Sequence, residues 1–202
     1  MACVHKFAQD LTLQRLNFLP TTLIIGTFNP SWESLANVAA WFYGRTQNNY
    51  FWDVLPRLYE NSNLRQSSPV VWKAFCKRQQ IALTDLLYSI DDADSDNPDH
   101  VHYLRTYQDD AIVRHFHCFT EVDILAILEN NPTITHIYLT RHPAGYWQKR
   151  WLPIVRYCEE RGKTARHLLT PSAGARFKMQ AGTLGTLSDF IFKHWQDSWH
   201  DV

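Results

Sequence analysis

Four short apolar runs punctuate the chain, at residues 22–28, 81–88, 134–140 and 165–169. Each ends in a polar or Pro-containing loop. The runs are continuous rather than alternating, which is the pattern of parallel strands covered on both faces. Between them the period becomes helical. Residues 49–59 place Trp52, Leu55 and Tyr59 on one face. Residues 69–79 follow Ser67 and Ser68 as cap candidates, with Pro69 in the first turn. Residues 120–129 carry Val122, Leu125, Ile127 and Leu128, with Thr120 as the expected N-cap and Asp123 in the capping-box position. Residues 146–161 form a basic helix with a kink expected at Pro153 and a C-terminal cap at Gly162. Residues 186–195 close the chain through Leu187, Phe190, Ile191 and His194. The acidic stretch 91–99 reads as a surface loop. Alternating β and α elements predict one domain over residues 1–202, a three-layer α/β/α sandwich around a central, mostly parallel four-stranded sheet.

Composition narrows the class. A chain of 202 residues, 45% hydrophobic, can bury a full core. Eight Trp raise the aromatic share to 14%; most of these rings are expected in core or rim packing, with some available for stacking. No apolar run approaches the roughly 18 residues that span a bilayer. Residues 1–10 hold no apolar signal-peptide core, and a cytoplasmic protein is expected. Cys3, Cys76, Cys118 and Cys158 are far apart and form no C-x-x-C pair. Reduced, mostly buried thiols are expected, with neither zinc nor an iron–sulfur cluster. His115-Phe116-His117-Cys118 lacks a partner at ligand spacing and reads as structural.

Formal net charge is zero, but its distribution is uneven. Residues 141–178 carry nine Lys/Arg against Glu159 and Glu160. Residues 85–129 carry eleven Asp/Glu against Arg105 and Arg114. Such a split marks either a face for a polyanion or ordinary surface charge.

The candidate chemistry lies beyond the strands. Parallel strands bring the loops at 27–32 and 170–176 to one sheet edge, where open α/β sheets bind ligands. The first loop holds a flat ring, a carboxamide and no charge in Thr27-Phe28-Asn29-Pro30. Trp41-Phe42-Tyr43 and Asn48-Asn49-Tyr50-Phe51-Trp52 add rings and two carboxamides. This is chemistry for a flat, uncharged, hydrogen-bonding ligand such as a nucleobase. Ser172, the backbone N–H groups of Ala173-Gly174-Ala175 and Arg176 can hold a phosphate. Arg141-His142-Pro143 follows the third run at the same sheet edge, within reach of the site for His142, and reads first as helix-start packing before Tyr146.

The order Gly26-Thr27-Phe28-Asn29-Pro30, Phe42-Tyr43, Asn49-Tyr50-Phe51-Trp52 and Leu169-Thr170-Pro171-Ser172 resembles the uracil-DNA glycosylase superfamily over about residues 22–178. The similar branches are the mismatch-specific uracil/thymine and the hypoxanthine-DNA glycosylases. The resemblance implies a monofunctional enzyme that flips a deaminated base, uracil or hypoxanthine, out of DNA and hydrolyses its N-glycosidic bond. It implies no metal, no cofactor and no membrane. The partner is DNA containing a damaged base, and a monomer is expected. By the same resemblance Phe28 stacks on the base, and Thr27, Tyr43 and Asn48 help to hold it. Asn29 or Asn49 orients the attacking water. Ser172, Arg176 and Lys178 contact DNA phosphates, and Phe177 is the one bulky residue placed to fill the gap left by the base. The spacing departs from the family's G-x-N-P, because both Thr27 and Phe28 separate Gly26 from Asn29. Asn49 occupies the catalytic position of the hypoxanthine-type N-x-F-W. The first loop has no carboxylate, Glu33 lying later, so slow, orientation-based catalysis is expected. Two other readings remain open: a non-catalytic nucleic-acid-binding module on this fold, and a hydrolase of free nucleosides or related metabolites.

Overall fold

The computed structural model describes residues 1–32, 39–180 and 185–200. In chain order its elements are β1 (Cys3–Val4), β2 (Thr22–Gly26), α1 (Phe51–Glu60), α2 (Pro69–Arg78), β3 (Ile81–Asp85), β4 (Leu87–Ile90), α3 (Pro98–Arg105) and α4 (Asp109–His115). There follow β5 (Phe119–Glu121), α5 (Ile124–Asn130), β6 (His136–Leu139), α6 (Gly145–Glu160), β7 (Thr164–His167), a 3₁₀ turn (Ala173–Lys178) and α7 (Leu187–Ser198).

Four strands form the expected parallel sheet in the order β3-β2-β6-β7. All residues of β2 and β3 are buried, while β7 forms a half-exposed edge. The continuous apolar runs thus have their cause in a sheet covered on both sides. Leu23 and Ile25 face one layer with Trp147, Trp151 and Ile154 of α6. Ile24 faces the other, with Trp52 and Leu55 of α1 and Ile191 and Trp195 of α7. Gly162, at φ 63, ends α6 in the left-handed conformation expected of a glycine cap. No helix among the described residues is long and apolar enough to cross a membrane.

Three expectations are corrected. The run at 81–88 is two strands, not one. Leu86 and Leu87 donate to the carbonyls of Gly26 and Thr27, which turns the chain out of the parallel sheet. β4 then runs antiparallel between β1 and β5, forming a second, three-stranded sheet that the apolar pattern concealed. Thr120 is not a helix cap. It lies in β5, and Asp123 caps α5 by accepting from the Ala126 N–H at 2.9 Å. The acidic stretch 91–99 is a loop only to its end, where Asn97 caps α3 by accepting from the Asp99 N–H at 2.9 Å and Pro98 takes the first helical position.

The aromatic surplus has a structural use. Trp52 stacks on Trp72 with centroids 5.0 Å apart and on Trp41 at 5.8 Å, all three buried. His115 stacks on Tyr103 at 3.5 Å. Cys3, Cys76 and Cys158 are buried, and Cys118 is exposed. Burial pushes the Cys3 and Cys158 thiols up to about 11 and raises Cys76 as well. A thiol-specific chromogenic reagent at pH 8 is therefore expected to titrate Cys118 at once and the other three only after denaturation. Rapid reaction of two or more thiols in the native protein contradicts this packing.

Candidate functional site

β2 and β3 end side by side, with Gly26 opposite Asp85. Their C-terminal ends, together with that of β6, open on a cavity of about 1060 Å³. The first loop, the Tyr43–Asn49 segment and the Thr170–Phe177 segment all line it. Backbone bonds stitch the last two together: Tyr50 N–H donates to Pro171 O (2.7 Å), and Ala173 N–H donates to Asn48 O (2.9 Å). The sequence-distant loops are therefore one wall.

Asp85 sits at the floor, 1% exposed. Its Oδ2 is 2.7 Å from His5 Nε2 and accepts from Asn29 Nδ2, also at 2.7 Å. The N-terminal segment supplies that histidine. Lys6 N–H donates to Asn29 O and Ser31 N–H to Val4 O, which lays residues 4–6 against the first loop. No donor among the described residues reaches Asp85 Oδ1. Gly26 is what makes room for this oxygen, since a Cβ there would lie 2.2 Å from Asp85 Oδ1 and 2.9 Å from the Tyr43 hydroxyl. Tyr43 adopts φ 56, a costly conformation for an aromatic residue, and stacks on Phe51 at 3.8 Å. Its hydroxyl pairs with Thr140 Oγ1 at 3.0 Å. Burial foremost, then the charge of Asp85, holds the phenol well above its usual range, so it stays a neutral hydroxyl.

The two carboxamides are oriented by their partners. A carboxylate only accepts, so Asn29 turns its amino group to Asp85 and keeps Oδ1 as an acceptor. A backbone N–H only donates, so Asn49 turns Oδ1 to Phe51 N–H (2.9 Å) and keeps Nδ2 as a donor. This bond opens α1, giving Asn49 a helix-start role beside its place on the cavity wall. Asn48 also lines the cavity, as an exposed side chain. Phe28 lines it while 7% exposed, its ring edge-on to His5 at 5.6 Å.

The facing wall comes from residues 106–110, the link from α3 into the first turn of α4, which pattern reading missed. Thr27 Oγ1 donates to Asp109 Oδ1 at 2.5 Å, and Arg141 reaches Asp109 Oδ2 at 2.8 Å. Thr27 is thus engaged with this wall. Burial pushes the Asp109 carboxyl up, against the Arg141 guanidinium and the Thr27 hydroxyl, which pull it down. Arg45 also lines the cavity, its guanidinium 3.2 Å over the Tyr107 ring. Its Nε is buried without an acceptor among the described residues, and burial lowers its pKa.

Ser172 pairs with Thr170 Oγ1 at 3.0 Å and accepts from Gly174 N–H at 3.3 Å, which starts the 3₁₀ turn. Arg176, Phe177 and Lys178 follow, all exposed, with Phe177 at 94%. Arg176 and Phe177 reach the cavity. His142 corrects its expected role: it lines the cavity as an exposed residue, 3.4 Å from His167 Nε2, rather than packing against a helix start. Glu33 lies outside the described residues.

Part of the charge split is internal. Arg141 pairs with Asp109 and Asp110, and Arg150 with Glu121, so the basic segment binds the acidic one. Lys163 and Arg166 donate to backbone carbonyls. Among the described residues lining the cavity, Arg45 and, on the 3₁₀ turn, Arg176 make no such pair. No group of three or more His, Cys, Asp or Glu among the described residues is arranged to hold a metal.

Sequence reading missed Asp85 and His5. Asp85 ends an otherwise apolar strand, and a carboxylate at a strand's C-terminus was the available signal. His5 gave none, because only the folded N-terminal segment brings it there.

No protein-family model and no curated protein matches the chain. Among solved structures, it is similar to a solution NMR structure of a protein from Methanosarcina acetivorans, provisionally designated a uracil DNA glycosylase. The two share 16% identity at a TM-score of 0.56, over 90% of this chain and 92% of that one. The likeness establishes that the two chains share their α/β fold across nearly their whole lengths.

Proposed function

We propose that the protein is a DNA glycosylase that hydrolyses the N-glycosidic bond of a deaminated base. One observation carries the reading: the carboxamides of Asn29, Asn48 and Asn49, a phenol and a phenyl ring converge on one cavity whose rim bears Arg176 and Phe177, with the exposed Lys178 next in the chain. Its volume of about 1060 Å³ is at the upper end of small-molecule sites, roughly 300–1,000 Å³, and admits a base with its sugar. The fold shared with a protein provisionally designated a uracil DNA glycosylase supports the same reading.

In this scheme Phe28 and Tyr43 border the flipped base. Asn49 Nδ2, with Asn48 beside it, donates to a ring carbonyl, a group that uracil and hypoxanthine share. Asn29 Oδ1 accepts from the attacking water. Thr27 acts on the base through Asp109, to which its hydroxyl is bonded. Ser172, Arg176 and Lys178 take the phosphates, and Phe177 enters the stack where the base has left. Arg45 places a positive charge on the wall facing the departing base anion.

The test uses labelled oligonucleotides carrying one uracil, hypoxanthine or xanthine, single-stranded and paired, treated with alkali after incubation. Strand scission at one of these bases is expected. Salt-dependent DNA binding without scission at any of them indicates a binding module instead. Cleavage of a free nucleoside, unaffected by competing DNA, indicates a metabolite hydrolase.

A further inference from the structure

We propose that Asp85 is the catalytic carboxylate of this site, holding the attacking water and taking its proton; the proposal rests on the glycosylase reading above. The first loop contains no carboxylate, but the neighbouring strand supplies one at the same sheet edge. Both ends of the carboxylate have a defined use. Oδ2 is fixed by His5 and Asn29, from two different segments, so the group cannot rotate freely. Oδ1 has no donor among the described residues, sits over the bare Cα of Gly26 and belongs to a residue lining the cavity. An acceptor that faces the cavity with no protein donor is completed by a water or a ligand atom. Such a position on the floor of a binding cavity is built for a water.

The water then has two acceptors. One hydrogen goes to Asn29 Oδ1 and the other to Asp85 Oδ1. Because Asn29 is itself bonded to Asp85, the pair moves as a unit. In the reaction the bond from C1′ to the base nitrogen breaks, and its electron pair leaves with the base. The water oxygen forms the new bond to C1′, and its proton passes to Asp85 Oδ1. That proton is then released to the base anion through solvent, restoring the carboxylate. The negative charge also faces the cation-like sugar as the bond breaks. His5 is a positioning residue, since it acts through Asp85.

The test is single-turnover excision by D85N, with affinity read separately on DNA carrying a non-cleavable 2′-fluoro nucleotide. Asparagine keeps the shape and can still accept from His5 and Asn29, so the fold is expected to survive. General-base removal predicts a rate loss of about 10²–10⁴-fold, with affinity within about threefold of the unaltered protein. Formate added to D85A is expected to restore part of the rate, which a purely structural role for Asp85 would not allow. A folded D85N that excises at the original rate overturns the proposal, as does a loss of affinity equal to the loss of rate. Should D85N not melt cooperatively, Gly26→Ala decides. Its methyl must displace Oδ1 while leaving the charge, and an unchanged excision rate overturns the proposal. If the unaltered protein excises no deaminated base, the glycosylase reading itself fails and Asp85 falls with it. Activity in the unaltered protein separates the two failures.

Discussion

Replacing Asn29 by alanine is expected to slow single-turnover excision by about 10²–10³-fold, the usual cost of losing one preorganised polar group at a reacting centre. Affinity for the non-cleavable analogue is expected to stay within about threefold. The reason lies in how its amide is held. Nδ2 is bonded to Asp85, so Oδ1 has a fixed direction before substrate arrives. An acceptor fixed in advance costs no reorganisation when the water attacks. Alanine removes that acceptor and one of the two donors that hold Asp85. Asn49→Ala is expected to behave differently. Its Oδ1 accepts from Phe51 N–H at the start of α1, and losing that bond costs about 0.5–1.5 kcal/mol of stability. Its Nδ2 faces the base rather than the water, so substrate affinity falls along with rate. Thermal melts, excision rates and affinities of the two variants separate the roles. A rate loss confined to Asn49→Ala would make Asn49 the water-orienting residue and refute this assignment.

The parts of the fold read correctly from the sequence have strong local causes. Parallel strands buried on both faces must be continuously apolar, and the first three runs mark them, while the fourth marks the half-exposed edge strand β7. Pro69 at a first turn and Gly162 at a left-handed end are capping signals that operate locally. The three-stranded sheet escaped because its strands have two, four and three residues, and β4 continues the apolar run of β3 without a break. Hydrogen bonds of Leu86 and Leu87 to the sequence-distant Gly26, Thr27 and Val122 divide the two. The site divides the same way. Thr27, Phe28, Asn29, Tyr43, Asn48, Asn49, Ser172 and Arg176 lie on loops that topology must gather at one edge, and all line the cavity. Asp85 counted only as charge in the sequence, although burial beside His5 gives it a defined chemical setting. Arg141 counted among the nine basic residues of a segment read as a polyanion face or as ordinary surface charge, and its guanidinium is spent on Asp109 and Asp110. Net charge along a segment says nothing of which charges face one another after folding.

Trp52→Ala is expected to cost about 3–5 kcal/mol of stability, the range for truncating a buried large aromatic side chain. The ring is fully buried, lies parallel to Trp72 within 4°, and meets Phe51 edge-on at 4.9 Å. Aromatic pairs of this kind add about 0.5–1.5 kcal/mol each beyond their burial. Nε1 also donates to Phe42 O at 2.9 Å, and alanine leaves that buried carbonyl unpaired. Against a total of about 5–15 kcal/mol for an ordinary domain, such a loss leaves little margin. Urea denaturation followed by far-UV circular dichroism measures it, and a loss below about 1.5 kcal/mol would refute the packing argument. The consequence extends to the cavity. Phe42 precedes Tyr43, whose left-handed backbone and Phe51 stack are held from below by the same tryptophan. Trp52→Phe keeps a ring but loses the indole donor, and is expected to fall between the parent and the alanine variant. If it melts cooperatively yet excises slowly, then Tyr43 has shifted against Gly26 and Asp85. The tryptophan stack then fixes the floor of the site as well as the core beneath it.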